Sequence, residues 1–236
     1  MAIKTRITAT GNAGVHILTP EGSVFIDAFW APQPQFPGIG RAPATAELPA
    51  DLILVTHSHW DHFDPELVAA ASARTGARVA GPEDVIAKLR RALPESSLAV
   101  LEPPENRPGQ PAASVELRLA HGSVRAFRTF HGRRHNSYLV QLGGRSFFHD
   151  GDNEDTRPLD AALPTPVDVL LLCPWQGSNW AAFVERLAPT KWVLIHLSEE
   201  EIEEHRAGRF LSELADHVPL ADRTVALRPG EALALD

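Results

Sequence analysis

Asp51-Leu52-Ile53-Leu54-Val55-Thr56 runs directly into His57-Ser58-His59-Trp60-Asp61-His62, and this junction decides how the chain folds. The first half is a continuous apolar run, the pattern of a strand buried on both faces. In extended backbone alternate side chains share a side, so His57 and His59 converge on one point. As the chain turns into a helix, Asp61 and His62 swing towards a neighbouring point. These ligand-type side chains are packed closely enough to serve two adjacent metal ions. Imidazole and carboxylate suit zinc, manganese, iron or cobalt.

The segments on either side read as alternating strands and helices. Before the motif, Ile3–Thr10, Ala13–Thr19 and Ser23–Ala28 are β-rich, with a turn at Thr19-Pro20-Glu21-Gly22. Residues 32–49 form a Pro/Gly-rich stretch longer than an ordinary connection, read as a functional loop or flap. After the motif Asp64 caps a helix whose first position is Pro65 and whose apolar face carries Leu67, Val68, Ala70 and Ala71. Ala77–Gly81 is a strand, Glu83–Leu93 a helix and Ser97–Leu101 a strand; a Pro-rich loop covers Glu102–Ala112. Four strands follow: Ser114–Ala120, Val124–Phe130, Ser137–Leu142 and Arg145–His149, the last two joined by Gly143-Gly144. Val167–Cys173 and Lys191–His196 are strands flanking a helix over Ser178–Leu187. A capping box of Ser198 and Glu201 opens a helix to about Ala215, and Thr224–Leu227 and Ala232–Leu235 are closing strands. The pattern is mixed α/β, met by two packed sheets with helices outside. No short-period repeat is visible.

Further ligand-type residues sit at the C-terminal ends of other apolar strands. His131 follows Val124–Phe130, Asp152 follows Phe147-Phe148-His149-Asp150-Gly151, and His196 ends Trp192-Val193-Leu194-Ile195. That rim is where α/β sites are built.

The order HxHxDH, strand-end His, Gly-Asp, strand-end His resembles the metallo-β-lactamase superfamily over nearly the whole chain. Phe25-Ile26-Asp27, Val55-Thr56-His57, Gly151-Asp152, Leu194-Ile195-His196 and Leu227-Arg228-Pro229-Gly230-Glu231 resemble landmarks of that family. Within it, the chain is similar to the branch of the ascorbate-phosphate lactonases and N-acyl-phosphatidylethanolamine phospholipases D. The resemblance implies an αββα sandwich of two mixed sheets, with helices on the outer faces, as one domain over 1–236. It implies one metal on His57, His59 and His131, a second on Asp61, His62 and His196, and Asp152 bridging them. The two ions are expected to be zinc, with manganese or iron as alternatives.

Two cations about 3.5–4 Å apart share a water and lower its pKa towards neutrality. The expected reaction is attack of a metal-bridging hydroxide on an ester, lactone or phosphodiester of a small molecule, which is anionic in some cases. Asp61 holds or relays the nucleophile's proton, and His135 is the second candidate catalytic group, as general acid or substrate contact. Arg133 and Arg134 offer charge for an anionic group, and His149 reads as support for Asp152. Trp60, Trp175, Asn179 and Trp180 are candidate substrate contacts, because aromatics in loops after strands wall pockets. Cys173 reads as a small core residue.

Composition narrows the alternatives. The chain has 236 residues, 44% of them hydrophobic, which suits a sizeable core. A formal charge of −8 argues against broad binding to nucleic-acid phosphates. One cysteine excludes an internal disulfide, and the charged start Met1-Ala2-Ile3-Lys4 has no apolar signal core, so a cytoplasmic protein without a membrane span is expected. Two other function classes stand beside hydrolysis: an iron-dependent redox enzyme on the same fold, and a metal-stabilised binding module without turnover. The sequence leaves the oligomeric state open.

Overall fold

The computed structural model describes residues 3–36, 38–41, 45, 47–174, 177–209 and 218–235. The chain divides into two compact units: Met1–Glu102 with Leu227–Asp236, and Pro103–Ala226.

The first unit holds strands β1 (Arg6–Gly11), β2 (Gly14–Thr19), β3 (Gly22–Ile26), β4 (Leu52–Leu54), β5 (Arg78–Gly81) and β6 (Leu98–Val100). It also holds helices α1 (Pro65–Thr75) and α2 (Glu83–Leu89). The second unit holds β7 (Ser114–Leu119), β8 (Gly122–Arg128), β9 (Asn136–Leu142), β10 (Arg145–His149), β11 (Val169–Leu172), β12 (Lys191–Leu194) and β13 (Thr224–Ala226), with helices α3 (Trp180–Leu187) and α4 (Glu199–Arg206). A last strand, β14 (Ala232–Ala234), returns to the first unit.

Each unit is built on one seven-stranded sheet, ordered β14-β1-β2-β3-β4-β5-β6 and β13-β12-β11-β10-β9-β8-β7. Both follow the same plan. Antiparallel hairpins lead up to β3 in one unit and β10 in the other, and parallel pairings follow through β4, β5 and β6, or β11, β12 and β13. The correspondence extends to side chains. Asp51, just before β4, takes the Ser23 N–H (2.7 Å) and hydroxyl (3.0 Å). Asp168, just before β11, takes the Ser146 N–H (2.7 Å) and hydroxyl (2.7 Å). Each aspartate thus starts a parallel strand in register with its neighbour. The sequence shows no short-period repeat because the repetition lies in strand order and register.

The apolar run ahead of the histidines forms β4, whose Leu52, Ile53 and Leu54 are buried. With all three side chains buried, neither face of β4 meets solvent, which is why the run lacks alternation. Helix α1 begins as the sequence requires. The Asp64 carboxylate accepts the N–H groups of Glu66 (2.9 Å) and Leu67 (3.0 Å), and Pro65 supplies the first turn. It stops at Gly76, which takes the left-handed conformation at φ 75°. Its buried face is Val68, Ala71 and Ser72 rather than the expected set, and Ala70 is exposed. Ser72 turns inward because its hydroxyl donates to Ala77 C=O (2.7 Å).

Other boundaries shift by a few residues. The first strand starts at Arg6, leaving Ile3 exposed, and α2 ends at Leu89 rather than Leu93. The capping box of Ser198 and Glu201 forms as expected. The expected continuation of α4 over 210–215 lies outside the described residues. Among the described residues no helix is long and apolar enough to cross a membrane.

His16, in the middle of β2, is buried against Phe25 with ring centroids 4.3 Å apart, and its Nε2 lies 2.9 Å from Pro49 C=O. Burial lowers its pKa to about 4; the Pro49 bond opposes the shift and the charge of Arg6 adds to it. An unfolded chain protonates this residue near the ordinary value of about 6.5. Folding stability is therefore complete above pH 6.5 and falls as the pH drops towards 4. His16→Gln, which keeps a donor for Pro49, is expected to flatten the pH dependence. Between pH 7.5 and pH 4.5 the native chain should lose on the order of 2–3 kcal/mol more than the variant, as measured by urea unfolding.

Candidate metal centre

In the first unit the ligand-type residues lie on the loop from β4 to α1. His57 and His62 are buried, Asp61 is half-buried and His59 is exposed. The His57 ring lies 4.4 Å from that of His59 and 4.2 Å from that of His62, centroid to centroid. His62 N–H and Phe63 N–H both reach the His59 carbonyl (3.2 and 2.9 Å), which curls the loop so that the residues cluster.

Asp27, at the end of β3, supports this loop from behind. Its carboxylate accepts the Thr56 N–H (2.8 Å) and hydroxyl (2.6 Å), and lies 2.8 Å from Nδ1 of His62. Its backbone is held at φ 49°, a conformation L-residues seldom adopt, which suits a functional position. The Thr56 hydroxyl also lies 2.9 Å from Nδ1 of His57. With Nδ1 engaged in this way, a histidine presents Nε2 to a metal, and the partner fixes the ring's tautomer and angle. Asn12, in the turn between β1 and β2, donates to the Asp61 carboxylate (3.2 Å) and carbonyl (3.1 Å). Between His57 and His59, the Ser58 hydroxyl donates to Asp84 (2.6 Å).

In the second unit the expected ligands come from three strand ends. Asp152 Oδ2 stands 3.6 Å from Nε2 of His131 and 3.6 Å from Nε2 of His196. That is too long for a hydrogen bond, yet two atoms sharing one tetrahedral zinc sit about 3.4 Å apart. The donor chemistry and spacing thus fit a divalent ion. His131 has its Nδ1 2.8 Å from Glu154. His196 follows β12 at φ 61°, a strained backbone at a candidate ligand.

His135 is buried at 1% exposure. Its Nε2 accepts the Asp152 N–H (3.0 Å), so its proton is on Nδ1, facing the Thr129 hydroxyl at 2.7 Å. The expected role as general acid or substrate contact gives way to a positioning role, because both ring nitrogens are committed and the ring is out of reach of solvent. His149 is likewise buried, its Nδ1 accepting the Gly151 N–H (3.1 Å). Burial pushes the Asp150 carboxyl up to about 7; the Ser137 and Asn153 hydrogen bonds oppose the shift and the Asp152 charge adds to it.

The substrate-contact candidates fare unevenly. Trp60 is half-buried and stacks on Phe36 of the Pro/Gly-rich loop (4.9 Å, 19°), with Trp30 edge-on at 6.3 Å. Asn179 is occupied within the fold: its amide donates to Asp160 (3.2 Å) and Thr156 (3.4 Å) at the start of α3. Trp180 packs on the hydrophobic core of the second unit, 6.0 Å from Trp192, so it reads as packing rather than a pocket wall. Trp175 lies outside the described residues. Cys173 is buried, as a core residue should be. The residues missed as functional are Asp27, Asn12, Thr129 and Glu154. Only Asp27 carried a signal, a carboxylate ending an apolar strand; the others are named by contacts alone.

A family model described as the beta-lactamase superfamily domain matches residues 23–198. The chain belongs to the metallo-β-lactamase superfamily. A UPF0173 metal-dependent hydrolase from Anaeromyxobacter sp. (strain K) is 30% identical over 183 residues, covering 72% of this chain and 64% of that protein. The chain thus spans just under two thirds of that relative. A UPF0173 metal-dependent hydrolase from Rubrobacter xylanophilus is 27% identical over 247 residues, 97% of this chain and 96% of the relative. Among solved structures, the metallo-β-lactamase fold protein YhfI from Bacillus subtilis superposes with a TM-score of 0.63 at 12% identity, covering 97% of this chain and 98% of its own. The metallo-β-lactamase fold, the α/β sandwich of two mixed sheets expected from the sequence, is therefore the fold of this chain.

Asp27→Ala removes the acceptor for three buried donors, one of them Nδ1 of the candidate ligand His62, and leaves every candidate ligand unmutated. It is expected to weaken metal binding about 10–100-fold, measured by chelator competition. It should also lower unfolding free energy by about 2–4 kcal/mol.

Proposed function

We propose that this chain is a hydrolase that uses two divalent metal ions to cleave an ester, lactone or phosphodiester bond in a small molecule, anionic in some cases. The observation that carries the proposal is Asp152 Oδ2, equidistant at 3.6 Å from the Nε2 atoms of His131 and His196. A carboxylate oxygen so placed between two imidazoles suits a bridging ligand.

In this reading His57, His59 and His131 hold one ion, and Asp61, His62 and His196 hold the other, with Asp152 shared. The imidazole and carboxylate donors suit zinc, and manganese and iron remain compatible. When bound, the ions supply an acidified water and a Lewis acid for the substrate oxygen. Asp61, whose Oδ2 accepts the Asn12 amide, would hold or relay the nucleophile's proton. Asp27 and Thr56 keep the His62 and His57 rings at fixed angles, and His135 keeps the Asp152 backbone in place. Trp60, braced by Phe36, offers an apolar wall next to His59 for the non-reacting part of the substrate. The relatives described as metal-dependent hydrolases support the reaction class.

Purified protein is expected to carry two metal ions per chain by elemental analysis. It should turn over members of a panel of lactones, phosphodiesters and thioesters. His59→Ala and Asp152→Ala are expected to lose at least about a thousandfold in kcat/KM, equivalent to about 4 kcal/mol. Oxygen consumption with bound iron and no hydrolysis across the panel would transfer the protein to the redox class.

A further inference from the structure

The strands at the sheet edges are unequal. β6, β13 and β14 have three residues each, too short to template another strand, whereas β7 has six. The β7–β8 hairpin sets Leu119 opposite Gly122 across the turn at Ala120 and His121, and at its open end the Arg128 N–H donates to Ala113 C=O (2.8 Å). Bonded pairs alternate along an antiparallel ladder. Residues 115, 117 and 119 therefore turn their N–H and C=O towards β8, while Ala113 gives its C=O to Arg128 and its N–H to Asn106. Ser114, Glu116 and Arg118 turn theirs outward, and among the described residues no strand pairs with that edge. Their side chains are exposed, while Val115, Leu117 and Leu119 are half-buried.

We propose that β7 is the docking edge for a second copy of this chain, paired antiparallel about a two-fold axis at Leu117. The backbone allows only registers in which outward-facing residues meet each other. An axis at Glu116 or Arg118 sets like charges face to face, which destabilises a strand pair. An axis at Val115 leaves Arg118 opposite the loop before β7. The axis at Leu117 places Glu116 of each copy opposite Arg118 of the other, twice by symmetry. Val115 then meets Leu119, and Leu117 meets its own counterpart. Within one chain the Glu116 carboxylate is already drawn along this edge, 3.5 Å from Arg118 and 3.4 Å from Arg125. Axes at Glu116 and at Leu117 overlap β7 equally, and the one at Leu117 is the one of charge complementarity.

Sedimentation of the full chain over a concentration series tests this. A monomer–dimer equilibrium is expected. Glu116→Arg and Arg118→Glu should each weaken dimerisation by about tenfold or more. The double variant E116R/R118E should restore it, because the charges merely exchange sides; that recovery also answers any concern that a single variant misfolds. Leu117→Cys should form an interchain disulfide on mild oxidation, since the axial pair is non-bonded with Cα atoms about 4.5 Å apart. A monomer at every concentration, a dimer indifferent to both single reversals, or a Leu117→Cys chain that does not cross-link would each overturn the proposal.

Discussion

The buried carboxylate of Asp27 ties the sheet of the first unit to its ligand loop. It closes the end of β3 onto Thr56, at the start of the loop, and onto His62, at its far end. A loop carrying several imidazoles and a carboxylate within a few residues would otherwise be free to splay. With the carboxylate in place, the loop is held at both ends by charge-assisted bonds in a water-poor setting, where such bonds are strongest. The cost is a buried charge and a left-handed backbone at φ 49°. Burial of this kind is tolerated only where every lone pair finds a donor.

The second unit solves the same problem with different chemistry at the equivalent place. Asp150 follows β10 as Asp27 follows β3, and both donate their N–H to the neighbouring parallel strand, Asp27 to Leu54 and Asp150 to Leu171, at 3.0 Å in each case. Around Asp150 the partners are Ser137 and Asn153 instead of threonine and histidine. The ligand-type carboxylate there is Asp152, two residues on, steadied through its backbone by His135. Topology is thus shared, and so is the spacing from Ser23 to Asp27 and from Ser146 to Asp150, while the polar networks beyond those aspartates have diverged.

The sequence was most legible where one physical demand dominates. The apolar run of β4, the histidine motif after it and the Asp64-Pro65 helix start each obey a single rule, and all appear where that rule puts them. The strand-end placement of His131, Asp152 and His196 was legible for the same reason. Legibility ended where two uses of a residue compete. Asn179 and Trp180 sit after a strand, as pocket residues do, but their contacts are spent on Asp160 and on Trp192. His135 looked like a proton donor because it lies near His131 in the chain; its burial and its bond to the Asp152 N–H are matters of packing that spacing does not encode. Ser72, not Ala70, joins the buried face of α1, where its hydroxyl donates to Ala77 C=O.

The supports behind His62 and His131 differ in their surroundings. Asp27 braces His62 where both side chains are wholly shielded, whereas Glu154 braces His131 with 47% of its side chain in water. Water competes for the exposed Glu154 carboxylate and does not reach the one behind His62. The orientation of His131 is therefore held more loosely than that of His62.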